Sequence, residues 1–241
     1  MVTGAARGIG RSIAQVLADA GARIVVGDLL DGEPTASEIR AAGGEAASMR
    51  LDISVSRQAD GLVAFARRSF GAVDILVNNA AIDAPEGTAW GLSDDEWRRT
   101  IDVNVTGTFF CSRAAARAML EQGHGSIVNI SSHSAWFGMP NVSPAYNASK
   151  AGVLGLTMGF SAQLADRGVR VNAIAPALVE SRDFGSSPEV AAARRSEYPL
   201  GTGRPEDVAE AVRYLASPAA RWVTGTVLYI HGGHRRHGPW L

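Results

Sequence analysis

The stretch from Val2 to Asp28 restricts the fold more than any other part of this chain. Val2-Thr3 leads into Gly4-Ala-Ala-Arg-Gly8-Ile-Gly10; Ile9, Ile13, Val16, Leu17 and Ala20 then recur at helical spacing until Gly21, and Ile24-Val25-Val26 runs on to Asp28. Apolar residues three and four apart share one face of a helix, and a short apolar run bounded by turn residues reads as a buried strand. The order is strand, glycine loop, helix, strand, which is a βαβ unit. Glycines let a backbone approach a ligand closely, and the helix start offers free N–H groups and partial positive charge to a pyrophosphate. Asp28, ending the second strand, is placed to bond ribose hydroxyls. The spacing here is G-x-x-x-G-x-G and not G-x-G-x-x-G, so the loop alone is also compatible with a plain tight turn.

The same alternation continues along the chain. Helices are expected from Pro34 to Ala42, from Ser56 to Phe70, from the capping box Ser93-Asp-Asp-Glu96 through to about Glu121, from Tyr146 to Asp166 and from Pro205 to Ala216. Strands are expected at 46–51, 73–77, 126–131, 169–175 and 226–230, with turn residues at the junctions. Seven strands alternating with helices imply a Rossmann-like, doubly wound, seven-stranded parallel sheet with helices on both faces, in a single domain over 1–241. Residues 177–200, with Gly185-Ser-Ser-Pro188 inside them, break the rhythm and are expected to form a substrate lid at the carboxyl edge of the sheet.

Tyr146-Asn-Ala-Ser-Lys150 places a phenol and an ammonium one turn apart on one helix face. A free tyrosine has a pKa near ~10, so acid–base work near neutral pH requires about 4 kcal/mol of preferential phenolate stabilisation. A nearby cation in a partly dry cleft can supply it. The pattern alone also occurs on solvated helix faces.

Composition narrows the function classes. The formal net charge of -1 and the lack of a long basic run disfavour nucleic acid as a partner. No basic stretch followed by an apolar core opens the chain and no span of about 20 apolar residues occurs, so no membrane association is expected and a cytoplasmic location is the default. The one cysteine, Cys111, excludes an internal disulfide and sits in an apolar helical pattern as a small packing residue. No metal is assigned. The tail from His234 to Leu241 contains His and Arg but reads as a solvated or subunit-packing tail.

Taken together, these motifs closely resemble the short-chain dehydrogenase/reductase family in its single-domain form, over essentially the whole chain. Thr3-Gly4-Ala-Ala-Arg7-Gly8-Ile9-Gly10 resembles the family's cofactor loop, and Leu51-Asp52-Ile53 its adenine-contacting segment. Asn78-Asn79-Ala80-Ala81 resembles its strand-end motif, with Ala81 where Gly is usual. Asn104 in Val-Asn-Val-Thr and Ser132 in Ile130-Ser131-Ser132 resemble members of its catalytic group. Ala175-Pro176-Ala177-Leu-Val179-Glu-Ser181 resembles the nicotinamide-binding segment. Arg204-Pro-Glu-Asp-Val208, Thr224-Gly225 and His231-Gly-Gly233 resemble its C-terminal signature, with His231 where Asp is common.

The resemblance implies that Tyr146 exchanges a proton with a substrate oxygen and that Lys150 lowers the Tyr146 pKa while holding the nicotinamide ribose. It implies that Ser132 bonds the substrate oxygen and that Asn104 holds a water linking Lys150 to solvent. Without it, Ser132 and Asn104 would read as capping or turn residues. Ser131 and Ser134 are weaker alternatives to Ser132. Ser132 lies fourteen positions before Tyr146, which suggests one extra residue between Ser134 and Ser143 that reshapes the substrate wall.

Asp28 argues for NAD over NADP, because a carboxylate accepting ribose hydroxyls repels a 2′-phosphate. Arg7 pulls towards NADP, unless it is solvated or paired with Asp28, while Leu29 adds no second positive charge. His133, Trp136, Phe137, Met139 and Val179 suggest apolar pocket walls; Arg182, Arg194 and Arg195 could meet an anionic substrate. The helix after Lys150 is uncharged as far as Asp166, with Val153, Leu154, Leu156, Met158, Phe160 and Leu164 spread around it, which implies burial all round and hence a homodimer or homotetramer. The first strand has only three residues before Gly4, which suggests an N-terminus lacking a few residues of that strand. The expected activity is NAD-dependent interconversion of a secondary alcohol and a ketone, on a polyol, sugar or similar small hydroxy compound. An NADPH-dependent 3-oxoacyl (acyl carrier protein) reductase and a catalytically silent dinucleotide-binding protein stay open as alternatives.

Overall fold

The computed structural model describes residues 1–83, 88–138, 142–181, 189, 192 and 195–234. Seven parallel strands form one sheet: β1 (Val2–Thr3), β2 (Ile24–Asp28), β3 (Ala46–Arg50), β4 (Ile75–Asn78), β5 (Gly125–Ile130), β6 (Val169–Pro176) and β7 (Val227–Ile230). Their spatial order is β3-β2-β1-β4-β5-β6-β7. The winding direction therefore reverses between β1 and β4, and in such sheets a crevice opens there at the carboxyl ends of the strands.

Helices cover both faces. On one face lie α1 (Gly8–Asp19), α2 (Glu33–Ala41) and the helix Pro205–Ala216, here α7, over a core of Val2, Ile13, Leu17, Val26, Val128, Ile174 and Val212. On the other lie α3 (Ser56–Phe70), α5 (Thr108–Gln122) and α6 (Pro144–Leu164), over Leu62, Leu76, Met119, Ile127, Leu164 and Val171. Apolar runs such as Ile24-Val25-Val26 are buried because both sheet faces are covered. The β1 register, with Val2 opposite Val26 on one side and Val77 on the other, leaves Gly4 just beyond the strand end.

Two features differ from the sequence-based expectation. Element ends move by one to two residues where caps and turns compete: α2 starts at Glu33, β4 at Ile75 and α6 at Pro144. The expected long helix from Ser93 does begin with a capping box, Ser93 Oγ accepting from Glu96 N–H and the Glu96 carboxylate from Ser93 N–H. It is then interrupted: α4 (Asp94–Ile101) passes into a π-helical turn, Asp102–Gly107, before α5 resumes. Val103, Val105, Thr106 and Gly107 are weak helix formers, and a Cβ added to Gly107 would lie 2.7 Å from Ile53, so this turn is shaped by close packing. Within one chain the sheet covers α6 on one side only, as the sequence reading expected. Val153, Leu154, Thr157 and Leu164 face the sheet, whereas Ala151, Gly155, Gly159 and Ala162 face outward with Met158, which is 58% exposed.

Candidate active site

The glycine loop is set by distance as well as by backbone angle. A Cβ on Gly10 would sit 2.1 Å from the Gly4 carbonyl oxygen, so only glycine allows α1 to start this close to β1. Gly8 has φ +58, and a Cβ there would face the Ser181 carbonyl at 3.6 Å, which brings the loop and the segment after β6 to the two sides of one narrow cleft. Helix α1 opens at Gly8 with no side-chain cap and no acidic residue in its first turn, so its N-terminal N–H groups and partial positive charge remain available to an anion. Ile9 is half-buried beside them.

Asp28 ends β2 beside this loop. Its carboxylate oxygens accept from Ala6 N–H and Leu30 N–H, each at 2.9 Å, which orients the group while lone pairs remain for ribose hydroxyls. Leu29 is exposed next to it. Among the described residues Arg7 forms no ion pair with Asp28. Arg50, which sequence reading passed over, stands opposite Asp28 in the β2–β3 register and donates to the Leu29 carbonyl at 2.8 Å. Only strand pairing brings it there.

Several expected contact residues lie beneath the cleft instead of lining it. The Thr3 hydroxyl is fully buried and accepts from Asn79 and Ala80 N–H, while Asn79 Nδ2 donates to the Thr3 and Gly4 carbonyls. Asn78 Nδ2 donates to Asn129 Oδ1 and Ser112 Oγ, and Asn129 donates onward to Thr157 of α6. Ile53 is buried under Gly107, and Asp52 Oδ1 caps the turn into α3 through Ser54. A buried polar lattice thus braces the glycine loop against the helix that carries Tyr146 and Lys150, with partners drawn from β1, β4, β5 and α6.

Tyr146 and Lys150 lie one turn apart near the start of α6, and the Lys150 ammonium is 5.5 Å from the Tyr146 ring centroid. That ammonium is 3% exposed and donates to the Ile130 carbonyl at 3.0 Å. Burial lowers its pKa to about 8, against a smaller opposing pull from the Asp83 carboxylate. Ser132 follows β5 directly; its Oγ accepts from Ser134 N–H and Oγ–H, and among the described residues its own proton is left without an acceptor. Ser131 and Ser134 are both buried, and the Ser131 hydroxyl donates to the Lys150 carbonyl. Of the three, Ser132 alone is half-buried, which leaves it the most accessible hydroxyl.

Asn104 sits in the π-helical turn with both amide hydrogens engaged, on the Ile82 carbonyl and on Ser149 Oγ. It works here as a clamp between the β4 end and α6. Pro176 and Val179 are buried, and Val179 bridges to Gly203. Ser181 is half-buried with its carbonyl facing Gly8.

Trp136 packs on Tyr229 with ring centroids 4.8 Å apart, which makes it a packing residue against β7. Arg195 is paired with Glu180 at 2.9 Å and is therefore already committed. Cys111 is buried and inert as expected, its thiol pushed up to about 12 by burial. His234 departs from the expectation of a solvated tail: it is 3% exposed and lies 3.2 Å from Glu197. Met139, Arg182, Arg194, Gly185 to Pro188 and the tail beyond His234 lie outside the described residues.

Comparison with known proteins supplies the class. Residues 4–235 match the family described as Enoyl-(Acyl carrier protein) reductase, and the chain belongs to the short-chain dehydrogenase/reductases, oxidoreductases of CH–OH groups that bind a nicotinamide dinucleotide. Among its relatives is cis-4-hydroxycyclohexanecarboxylate dehydrogenase of Sinomonas cyclohexanicum, 40% identical over 237 residues, 97% of this chain and 95% of that one. Another is the 3-oxoacyl-[acyl-carrier-protein] reductase of Synechocystis sp., 35% identical over 240 residues, 97% of this chain and 95% of that one. Among solved structures, a 3-oxoacyl-[acyl-carrier protein] reductase from Brucella melitensis with bound NAD superposes with a TM-score of 0.88 at 36% identity, covering 98% of this chain and 90% of that one.

Proposed function

We propose that this protein is an NAD-dependent dehydrogenase that interconverts a secondary alcohol and a ketone on a small hydroxy compound such as a polyol, a sugar or a ring alcohol. The observation that carries this reading is the buried Lys150 ammonium 5.5 Å from the Tyr146 ring, held by the carbonyl of Ile130 at the end of β5, two residues before Ser132. In oxidation the Tyr146 oxygen takes the hydroxyl proton of the substrate, and Lys150 favours the phenolate form that does so. Ser132 donates to the substrate oxygen and holds it in place as its charge changes. The bound nicotinamide supplies the hydride acceptor. Asn104 keeps the Ile82–Asp83 loop in place beside Lys150.

Gly4, Gly8, Gly10 and the α1 start would hold the pyrophosphate, Asp28 the adenosine ribose, and the Pro176–Ser181 segment the carboxamide. Fit to such a cofactor rests on the uncapped helix start, the narrow gap between Gly8 and Ser181 and the oriented Asp28 carboxylate. A carboxylate at the ribose favours NAD, and the named relative that oxidises a hydroxycyclohexanecarboxylate supports a small hydroxy substrate. Exposed Arg50, opposite Asp28 in the strand register, and exposed Arg7 in the glycine loop favour a second reading, an NADPH-dependent 3-oxoacyl reductase.

The outward strip of α6 is proposed as a contact between copies in a homodimer or homotetramer, residues 177–200 as a substrate lid, and the cytoplasm as the location. Among the described residues no helix is long and apolar enough to cross a membrane. Paired fluorescence titrations with NADH and NADPH test the cofactor, and turnover of Tyr146→Phe tests the acid–base role. Tighter NADPH binding or retained turnover would overturn the respective assignment.

A further inference from the structure

Beyond β7 the chain makes a tight turn, His234 N–H donating to the His231 carbonyl at 2.8 Å. Gly232 lies at φ +54, where a Cβ would meet the Gly201 carbonyl oxygen at 2.8 Å, and its own carbonyl accepts from Leu200 N–H. The turn is therefore pressed against residues 198–201, on the far side of the segment that follows β6. His234 is driven inward. Its ring lies 4.7 Å from that of Tyr198 and edge-on, 5.0 Å, to that of His133, and its Nε2 is 3.2 Å from Glu197 Oε2.

His133 directly follows Ser132 and its ring stacks 4.5 Å from that of Phe137, whose carbonyl accepts from the side chain of Asn147, the neighbour of Tyr146. Glu197, His234, His133, Phe137 and Asn147 thus form a continuous chain of contacts. It runs from the segment after β6 to the backbone on either side of the two groups that meet the substrate oxygen. Among the described residues no cluster of His, Cys, Asp or Glu has the arrangement of a metal site.

We propose that His234, held by Glu197, is a positioning residue that sets the substrate wall by locking residues 195–200 onto the Ser132–Phe137 turn. It governs how tightly the hydroxy substrate is held, and leaves dinucleotide binding and the proton transfer untouched. This inference rests on the assignment of Ser132 and Tyr146 above. It also accounts for the burial of His234, since a turn that presents an imidazole to both Glu197 and His133 has a function that a solvated tail lacks.

The test uses the full-length protein, His234→Leu, Glu197→Ala and His234→Gln, and whichever of cyclohexanol, 2-butanol or sorbitol the wild type oxidises fastest with NAD. His234→Leu is expected to raise KM for that alcohol at least tenfold with kcat within threefold, unchanged NADH affinity, and at least tenfold faster amide exchange of Tyr198 and Leu200. His234→Gln, which can still donate to Glu197, restores both. Glu197→Ala, at a site 39% exposed, removes the partner of His234 from the other side and should raise KM in the same direction, so a poorly folding His234→Leu leaves the question open to measurement.

Unchanged KM and exchange, or a fall in kcat and melting temperature together without rescue by His234→Gln, overturns the proposal. If the wild type oxidises none of the three alcohols, the amide exchange alone decides it. Retained turnover in Tyr146→Phe would instead sink the acid–base assignment and leaves the exchange result standing.

Discussion

Asn104 grips the backbone of Ile82 from both sides: its Oδ1 accepts the Ile82 N–H at 2.8 Å and its Nδ2 donates to the Ile82 carbonyl at 2.9 Å. The second amide hydrogen goes to Ser149 Oγ, which itself donates to the Tyr146 carbonyl. One side chain in a π-helical turn therefore ties the loop after β4 to the helix that carries Tyr146 and Lys150.

Replacing Asn104 with Ala strands the Ile82 N–H and carbonyl without partners in a half-buried place. A loss of about 2 to 3 kcal/mol in unfolding free energy is expected, since each stranded buried group costs about 1–3 kcal/mol. Urea denaturation measures it, and a loss below about 0.5 kcal/mol would show that water replaces the clamp.

Gly10→Ala places a methyl group 2.1 Å from the Gly4 carbonyl oxygen, which has no free rotamer through which to yield. The loop has to open, so NADH affinity should fall at least a hundredfold by fluorescence titration while the far-ultraviolet spectrum stays helical. Affinity within tenfold of the wild type would mean that the close approach relaxes cheaply.

Asp28→Ser removes the carboxylate opposite Arg50 and lets Arg50, with Arg7 of the glycine loop, meet a 2′-phosphate. The ratio of NADPH to NADH affinity should rise by about two orders of magnitude, equivalent to about 2.8 kcal/mol at a factor of ten per 1.4 kcal/mol. Adding Arg50→Ala should reverse part of the gain. If the double variant binds NADPH as well as the single one, Arg50 has no part in cofactor choice.

The Lys150 amine, lowered from 10.5 to about 8 by burial, makes stability depend on pH. Below pH 8 both folded and unfolded chains carry the proton and the folded protein bears the full cost of a buried charge. Between about 8 and 10.5 the unfolded chain holds the proton more tightly, so unfolding free energy rises with pH. Lys150→Met removes the charge and should be more stable than the wild type at pH 7, with the gap narrowing by about 2 kcal/mol towards pH 10. The Cys111 thiol, raised to about 12, acts in the opposite direction above pH 9 in both proteins and cancels in the difference. A gap independent of pH would show that Lys150 titrates as it does in water.

Much of this site was legible before folding because its signals are local. The glycine spacing, Asp28 at a strand end and Tyr146 four residues before Lys150 each depend on a single turn or helix, whose period follows from the chain itself. The alternation of apolar runs and helical periods likewise determined a parallel sheet covered on both faces, because each element must bury the side its own pattern makes apolar.

Only the tertiary structure decided which of those residues reach the cleft and which brace it from below. Thr3, Asn78 and Ile53 belong to the right segments but point into the core, since strand register and sheet twist set their depth. Arg50 reaches Asp28 through pairing between strands, Asn104 reaches Ile82 through a widened helical turn, and His234 reaches Glu197 and His133 across the end of the sheet. These are contacts between residues far apart in the chain, set by packing of finished elements, and no periodicity in the sequence encodes the distance between them.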